Sequence, residues 1–349
     1  MNARKVSMKI LLAKAPFRFK YEYREIPKPG RSEVLVRMKA CGICATDFHN
    51  IRERYEKFSP LGHEGAGEVI RLGKGVTDLK PGDKVAISGG VKCNMCEACR
   101  KKNPRLCRNG PSVWRSKQML FSEYAVLDRR LLFPFTKIDY QTAALLEPAS
   151  VALELVKESE LRNEQVVLVV GLGAIGLMAA QILKSLGIRV LGQEIPSAQA
   201  SLTAAKKMGL EVVAPGGREL LSTACTRYSI RRIMITASPQ TIPEAVEAIQ
   251  FGGIITYIGL GQGGQEIISL DCNKLLRKKV TLKPVYAVPP LYPEESLRLL
   301  KSGIIDSRLI ISHTFPFGKI PEAFKLIQEK KGETIKVMVE FEKVVSNRL

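Results

Sequence analysis

The 349-residue chain is poor in tryptophan and histidine, with one and three residues, and only 6% of it is aromatic. It has no run of 18 or more apolar residues, which excludes an apolar membrane-spanning helix. The N-terminal "MNARKVSMKILLAKAPF" is basic, but its apolar stretch "ILLA" is too short for a secretory signal. No internal repeat or low-complexity segment is found. The expectation is a cytoplasmic protein with no membrane partner. In that compartment thiols stay reduced, so clustered cysteines among the eight read as metal ligands or catalytic groups before disulfides. Acidic residues are also scarce: 34 against 54 basic, a net charge of +20. Such a charge suits an anionic partner such as nucleic acid. The basic residues are scattered, however, without the interleaved aromatics of a single-strand platform. The charge therefore reads as solvated faces, and nucleic acid is not the expected partner.

The length fits two domains, and a composition of 45% apolar and 25% charged residues is that of an ordinary globular chain. The first 150 residues read as short strands and turns. "EVLVRMKA" alternates from Val34, and "GAGEVIRLG", "DKVAI" and "EYAVL" follow, with "KPGRSE" and "LKPGDK" as corners. The texture changes near residue 151. "QVVLVV" (165–170) is an unbroken β-branched run, as in a buried parallel strand. "GLGAIGLMAAQILKSLG" then opens a helix with apolar Ile175, Met178, Ala179, Ile182 and Leu186. "RVLGQE", "SAQASLTAAKKMG", "RRIMITA", "PEAVEAIQFGG", "IITYIGL" and "VTLKPVYAV" continue the alternation to about residue 287. Strand–helix alternation at this spacing predicts an α/β, doubly wound parallel sheet. The tail carries two helical patterns, "EESLRLLKSG" and "IPEAFKLIQEKKG", and a last strand, "IKVMVEF".

Gly171, Gly173 and Gly176 form GxGxxG between that buried strand and that helix, the context that gives the motif meaning. Gly171 would make the tight turn, Gly173 admit a pyrophosphate against the backbone, and Gly176 let helix pack on sheet. Ile175 lies in the same first turn, whose free N–H groups and dipole favour a diphosphate. Glu194 ends the next strand, where a carboxylate grips ribose hydroxyls and repels a 2′-phosphate. No Lys or Arg follows until Lys206, so the expected cofactor is NAD, not NADP.

Cys93, Cys96, Cys99 and Cys107 are spaced CxxCxxCx7C. Four thiolates so close suit a closed tetrahedral zinc. The iron–sulfur pattern wants its fourth cysteine after three residues with proline next, whereas here the gap is seven and Arg108 follows. A lobe over 92–108 buries too little to fold alone, and structural zinc supplies about 10–16 kcal/mol. The densest basic patch lies here: Lys92, Arg100, Lys101, Lys102, Arg105 and Arg108. It would offset the roughly −2 net charge of a zinc with four thiolates.

"CGICATDFH" (41–49) gathers Cys41, Cys44 and His49, and His63 lies a little downstream. A catalytic zinc takes three protein ligands and leaves one place open. Spacing alone leaves open which of Cys41 and Cys44 binds, and which carboxylate completes the set. "CGICATDFH", "LGHEGAGEV", the cysteine lobe, "LLEPASVAL" and "VVGLGAIGLMAAQ" occur in the order of the zinc-dependent medium-chain alcohol dehydrogenases, and from about residue 8 to 342 the chain resembles that family. "EPASVA" resembles its polyol branch, with sorbitol and threonine 3-dehydrogenases.

The resemblance implies a Rossmann domain over 152–287 and a mainly β, GroES-like catalytic domain of 1–151 plus 288–349 that carries the zinc lobe. It implies Cys44, His63 and Glu147 as catalytic zinc ligands, two zincs per chain, and Cys41 as a non-ligand neighbour. Glu64 would stand behind the metal and exchange onto it, Asp47 orient the ligand histidine, and Thr46 and His49 relay the proton. A homotetramer or dimer is implied too. Ala45 replaces the branch's usual glycine, and Val151 and "ALELV" depart from common polyol dehydrogenases, which leaves the alcohol open. Cys225, Cys272 and His313 have no partner motif and read as structural, the two cysteines as core fillers. Phe48, Trp114 and Phe121 are candidates for a pocket wall or for core.

An alcohol proton has a pKa near ~16, and zinc lowers that of a bound oxygen to about 7, some ~12 kcal/mol at 1.36 per unit. General acid–base help adds about 10² to 10⁴, so a relay is secondary to a metal. The expected protein is an NAD-dependent, zinc-dependent dehydrogenase of a secondary alcohol on a polyol, cyclitol, sugar or amino alcohol. The alternatives are a zinc-free quinone or enone reductase, which the filled ligand positions disfavour, and a dehydrogenase-like scaffold binding nucleic acid.

Overall fold

The computed structural model describes residues 7–213, 218–261 and 264–342. β1 (Ser7–Lys14) and β2 (Arg18–Glu25) form an antiparallel hairpin. It is an addition to the strands expected from the sequence. "RFKYEYRE" in β2 is charged along an exposed edge, so the strand shows little apolar signal. β3 (Glu33–Ile43) leads into the short helix α1 (Ala45–His49). β4 (Ser59–Pro60), β5 (Glu64–Leu72) and β6 (Lys84–Ile87) follow. One helical turn, α2 (Glu97–Arg100), precedes β7 (Tyr124–Asp128) and β8 (Leu132–Pro134). Helices α3 (Tyr140–Ala144) and α4 (Leu146–Glu158) lead to the second sheet. The expected domain boundary at 151/152 falls inside α4, which runs through it unbroken.

The second sheet alternates β9 (Val166–Val170), α5 (Ala174–Ser185), β10 (Arg189–Gln193), α6 (Gln199–Lys207) and β11 (Glu211–Val213), then β12 (Arg232–Ile235), β13 (Ile254–Tyr257) and β14 (Thr281–Pro284). All pairings are parallel, in the order β11-β10-β9-β12-β13-β14. This is the doubly wound order whose strand direction of growth reverses beside β9, where ligands bind. Leu186 lies just past the end of α5 and is exposed, so the apolar face stops at Ile182 and Leu183.

The chain then returns to the first sheet with β15 (Ile311–Pro316) and β16 (Lys336–Glu340). That sheet runs β15-β16-β3-β5-β6-β8, with β7 also paired to β3. The last strand thus zips antiparallel onto β3, Val337 opposite Ile43. Among the described residues no helix is long and apolar enough to cross a membrane.

Candidate metal centre and dinucleotide turn

The register of the first sheet assembles one site. β3 pairs with β5 so that Gly42 faces Glu64. The end of β3, which continues to Cys44, therefore meets the start of β5, which His63 precedes. Ligand atoms of Cys44, His63 and Glu64 lie within 4.8 Å of one another. Cys44 caps α1, and Asp47 closes the capping box by accepting the Cys44 backbone N–H at 3.0 Å. The other Asp47 oxygen accepts the Gly62 N–H at 3.2 Å and lies 3.4 Å from His63 Nδ1, without the alignment of a hydrogen bond. One fully buried carboxylate thus anchors both flanks of the site. Burial alone would lower the His63 pKa, but Asp47 and Cys44 outweigh it and raise it well above the usual range.

Cys41 is fully buried, and burial, Asp47 and Glu64 push its thiol well above the ordinary value, so it stays protonated as a core residue. Glu64 is also buried, and Lys336 at the start of β16 grips both its oxygens, at 2.8 and 2.6 Å. Lys336 Nζ also donates to the Ile43 carbonyl at 3.1 Å. The sequence reading omits Lys336; its one trace is a lysine inside the apolar strand "IKVMVEF". Gly42 is required here because a Cβ would collide with the Glu64 carboxylate. Gly42→Ala is therefore expected to push Glu64 off Lys336 and destabilise the fold by about 3 kcal/mol, measured by urea unfolding.

Glu147, in the first turn of α4, stands outside the close group of Cys44, His63 and Glu64. It is half-buried, and Gly89 makes room for it: a Cβ there would sit 3.1 Å from its Cγ. It forms no hydrogen bond or ion pair with the described residues. Burial pushes its pKa to about 7, with Glu64 adding to the rise and His63 and Lys336 opposing it. Trp114, the only tryptophan, packs its ring 4.5 Å from that of His63. Phe121 is fully buried core, and Phe48 packs on Phe17 and Phe324. Thr46 Oγ1 is 3.7 Å from Cys44 Sγ. His49 is buried, its Nδ1 without a hydrogen bond and 3.9 Å from Glu53.

The four lobe cysteines also have sulfurs within 4.8 Å of one another. Backbone N–H groups of Met95 (3.4 Å) and Cys96 (3.2 Å) point at Cys93 Sγ and pull its pKa to about 6, the state a metal needs. The Cys93 N–H points at Cys107 Sγ, at 3.2 Å. Of the basic patch, Arg105 pairs with Glu158 on α4 at 2.6 Å, and Lys101 with Glu97 at 2.7 Å. Cys225 is core, as expected. Cys272 is not: it opens the helix before β14, a helix with no buried residue, and is exposed. His313 on β15 lies 3.1 Å from Ser312 Oγ through its Nδ1.

Gly171 has φ +89°, and a Cβ on it would lie 2.7 Å from the Ala237 nitrogen. A Cβ on Gly176 would strike the Gly171 carbonyl, so helix and turn touch there. Gly173 faces open space, the gap a pyrophosphate would fill. Glu194 is held in place by N–H groups of Leu172 (2.6 Å) and Ile195 (2.8 Å). Ile175 packs half-buried against the core under α5. The donor chemistry thus fits two zinc ions, and the cradle fits a dinucleotide.

Glu154 lies two turns after Glu147 on α4, is buried, and is pushed to about 7 by burial and then by Glu158, against the Leu291 N–H and Arg105. Its folded pKa exceeds the unfolded one near 4.5. The native state therefore holds the proton between pH 4.5 and 7, and stability is lost as pH rises through that window. Glu154→Gln should gain on the order of 2 kcal/mol over the native protein at pH 8 and nothing below pH 4.5, by urea melts at both values.

Residues 30–137 match the model of the alcohol dehydrogenase GroES-like domain, and residues 174–302 that of the zinc-binding dehydrogenase. L-galactonate-5-dehydrogenase of Escherichia coli K12 is 29% identical over 96% of this chain and 99% of its own length. Sorbitol dehydrogenase of Bacillus subtilis is 28% identical over 92% of this chain and 93% of its own. The crystal structure of an alcohol dehydrogenase from E. coli CFT073 with NADH superposes at TM-score 0.85, with 25% identity, covering 96% of this chain and all of that one. The fold and donor groups define a two-domain, metal-using nicotinamide dehydrogenase. This chain belongs to the zinc-containing medium-chain alcohol dehydrogenase family, and its reaction is zinc-dependent alcohol oxidoreduction with a nicotinamide dinucleotide.

Proposed function

We propose that the protein oxidises a secondary alcohol of a polyol, cyclitol, sugar or amino alcohol with NAD. The observation that carries this reading is the group of Cys44, His63 and Glu64, with Glu147 on the wall of the neighbouring cavity. Cys44, His63 and Glu147 would hold the catalytic zinc. Glu64 is already neutralised by Lys336, whereas Glu147 is unpaired and faces the cavity. Zinc bound there would supply a Lewis acid that makes the substrate hydroxyl acidic. Thr46 Oγ1, beside Cys44, would take the substrate hydroxyl proton as it releases its own, and His49, on the same face of α1, would pass a proton on to solvent. The Gly171–Gly176 turn would hold the dinucleotide. Glu194 disfavours a 2′-phosphate, which points to NAD. Relatives of similar sequence act on sorbitol and galactonate, which supports a polyhydroxylated substrate.

The catalytic unit is proposed as 1–151 plus 288–349 around a nucleotide unit of 152–287. A dimer or tetramer forms through the nucleotide units, where β14 is an edge strand and Leu276, on the helix before it, is 76% exposed. Sedimentation velocity tests the assembly. A panel of polyols, cyclitols and amino alcohols with NAD and NADP, followed by nicotinamide absorbance, tests the reaction. Failure of every alcohol to reduce either coenzyme would sink it. Glu147→Ala should lose one zinc per chain and most of the turnover while keeping the lobe zinc; two zincs and native turnover would return the ligand role to Glu64.

A further inference from the structure

We propose that the cavity beside the metal donors selects an alcohol bearing an anionic group, with Arg108 and Arg115 binding the anion and Glu154 a hydroxyl. This rests on the alcohol-oxidising reading above and names its substrate class. The cavity has a volume of about 650 Å³. Arg108 and Arg115, from the cysteine lobe and the segment after it, and Glu147 and Glu154, from α4, all line it.

The state of each group points to a ligand. The Arg108 guanidinium has no hydrogen-bond or ion-pair partner among the described residues. Arg115 spends one N–H on the Arg108 carbonyl, at 2.9 Å, which ties the two arginines together and leaves the rest of its fork free. The third arginine of this wall, Arg105, is engaged by Glu158 and is not available. Glu154 is 3% exposed, yet its Oε2 has no hydrogen-bond partner. A buried acceptor left unpaired is costly unless something else fills the space.

Glu147 and Glu154 are seven residues apart on one helix, about 10 Å along its axis. That spacing suits an extended hexose-sized chain, with its reacting carbon at the Glu147 end. A guanidinium fork pairs bidentately with a carboxylate or a phosphate, and such bonds are about twice as strong as neutral ones. A neutral polyol would leave both arginines unneutralised.

The test compares gluconate, glucitol 6-phosphate and glucitol as substrates of the zinc-loaded enzyme with NAD, alongside Arg108→Ala/Arg115→Ala and Glu154→Gln. Lys325→Ala controls for net charge, since Lys325 is exposed on a helix that does not line the cavity and pairs with Glu329 at 3.8 Å. The native enzyme should prefer one of the anions over glucitol by about tenfold or more in kcat/KM, and which anion wins separates carboxylate from phosphate. In the double arginine variant that preference should fall ~10- to 100-fold, mainly through KM, and in Lys325→Ala it should persist. Glu154→Gln should raise KM for all three. The sole tryptophan, Trp114, lines the same cavity, so its quenching by gluconate or the phosphate reports occupancy without turnover. Equal use of glucitol and both anions, or a preference intact in the double variant, overturns the proposal. If no alcohol reduces the coenzyme, the catalytic reading fails, and quenching alone decides: equal anion affinity in native and double-variant protein overturns this one too.

Discussion

Replacing His63 with alanine is expected to lower turnover of any alcohol by about four orders of magnitude or more and to leave one zinc per chain instead of two. The metal's ceiling is ~12 kcal/mol, the difference between an alcohol pKa near 16 and about 7. Part of the loss would be recovered by positioning and by the relay, which is worth about 10² to 10⁴. His63 is chosen because nothing nearby can replace it. Of the other histidines, His49 is turned toward Glu53 and His313 lies on β15 beside Ser312. The buried Asp47 would lose the imidazole that faces it at 3.4 Å, so the variant should also melt lower. Initial rates and a metal count by atomic emission check both halves. Native turnover with a single zinc would mean that the metal at this position is not the catalyst.

The second large effect is expected at Cys107. Cys107→Ser removes a buried lobe sulfur that receives the Cys93 N–H and sits with three other thiols. Structural zinc contributes about 10–16 kcal/mol in small zinc modules. Losing even a third of that should lower Tm by roughly 10 °C in a domain of this size. The damage should spread to the active cleft. Arg105 on the lobe pairs with Glu158 on α4, the helix that carries Glu147, and Arg108 lies next to Cys107 on the cavity wall. Substrate KM should therefore rise with the loss of the lobe zinc. Limited proteolysis should cut between 92 and 108 in the variant only. An unchanged melt with one zinc missing would show that the lobe folds without metal.

The dinucleotide turn was readable before any coordinates because every part of it is local. A buried strand, three glycines and an apolar helix lie within 20 residues; Gly171 and Gly176 need their missing Cβ for the turn and the helix contact that their places in the motif imply, and Gly173 faces open space. The four lobe cysteines were readable for the same reason: 15 residues hold all the donors. The catalytic group was half readable. "CGICATDFH" and "LGHEG" name the donors, but which carboxylate joins them depends on contacts that adjacent residues cannot encode. Cys272 was misjudged because a lone cysteine carries no signal of which helix face it occupies. The β1–β2 hairpin escaped because an exposed edge strand is kept polar.

Taken by itself, the amino-acid order determined the two sheet types, the dinucleotide turn, the metal-binding lobe and the identity of the sulfur and imidazole donors. Those features arise from short-range periodicity, backbone sterics and donors close enough in the chain to close a small loop. The tertiary structure decided the rest. It set Lys336 on Glu64 across 272 positions, laid Trp114 on His63, left Glu147 and the Glu154 Oε2 without a hydrogen bond among the described residues, and brought Arg108 and Arg115 to the same cavity. These follow from strand register and from the packing of α4 between the two sheets, where one residue of slip would exchange every neighbour.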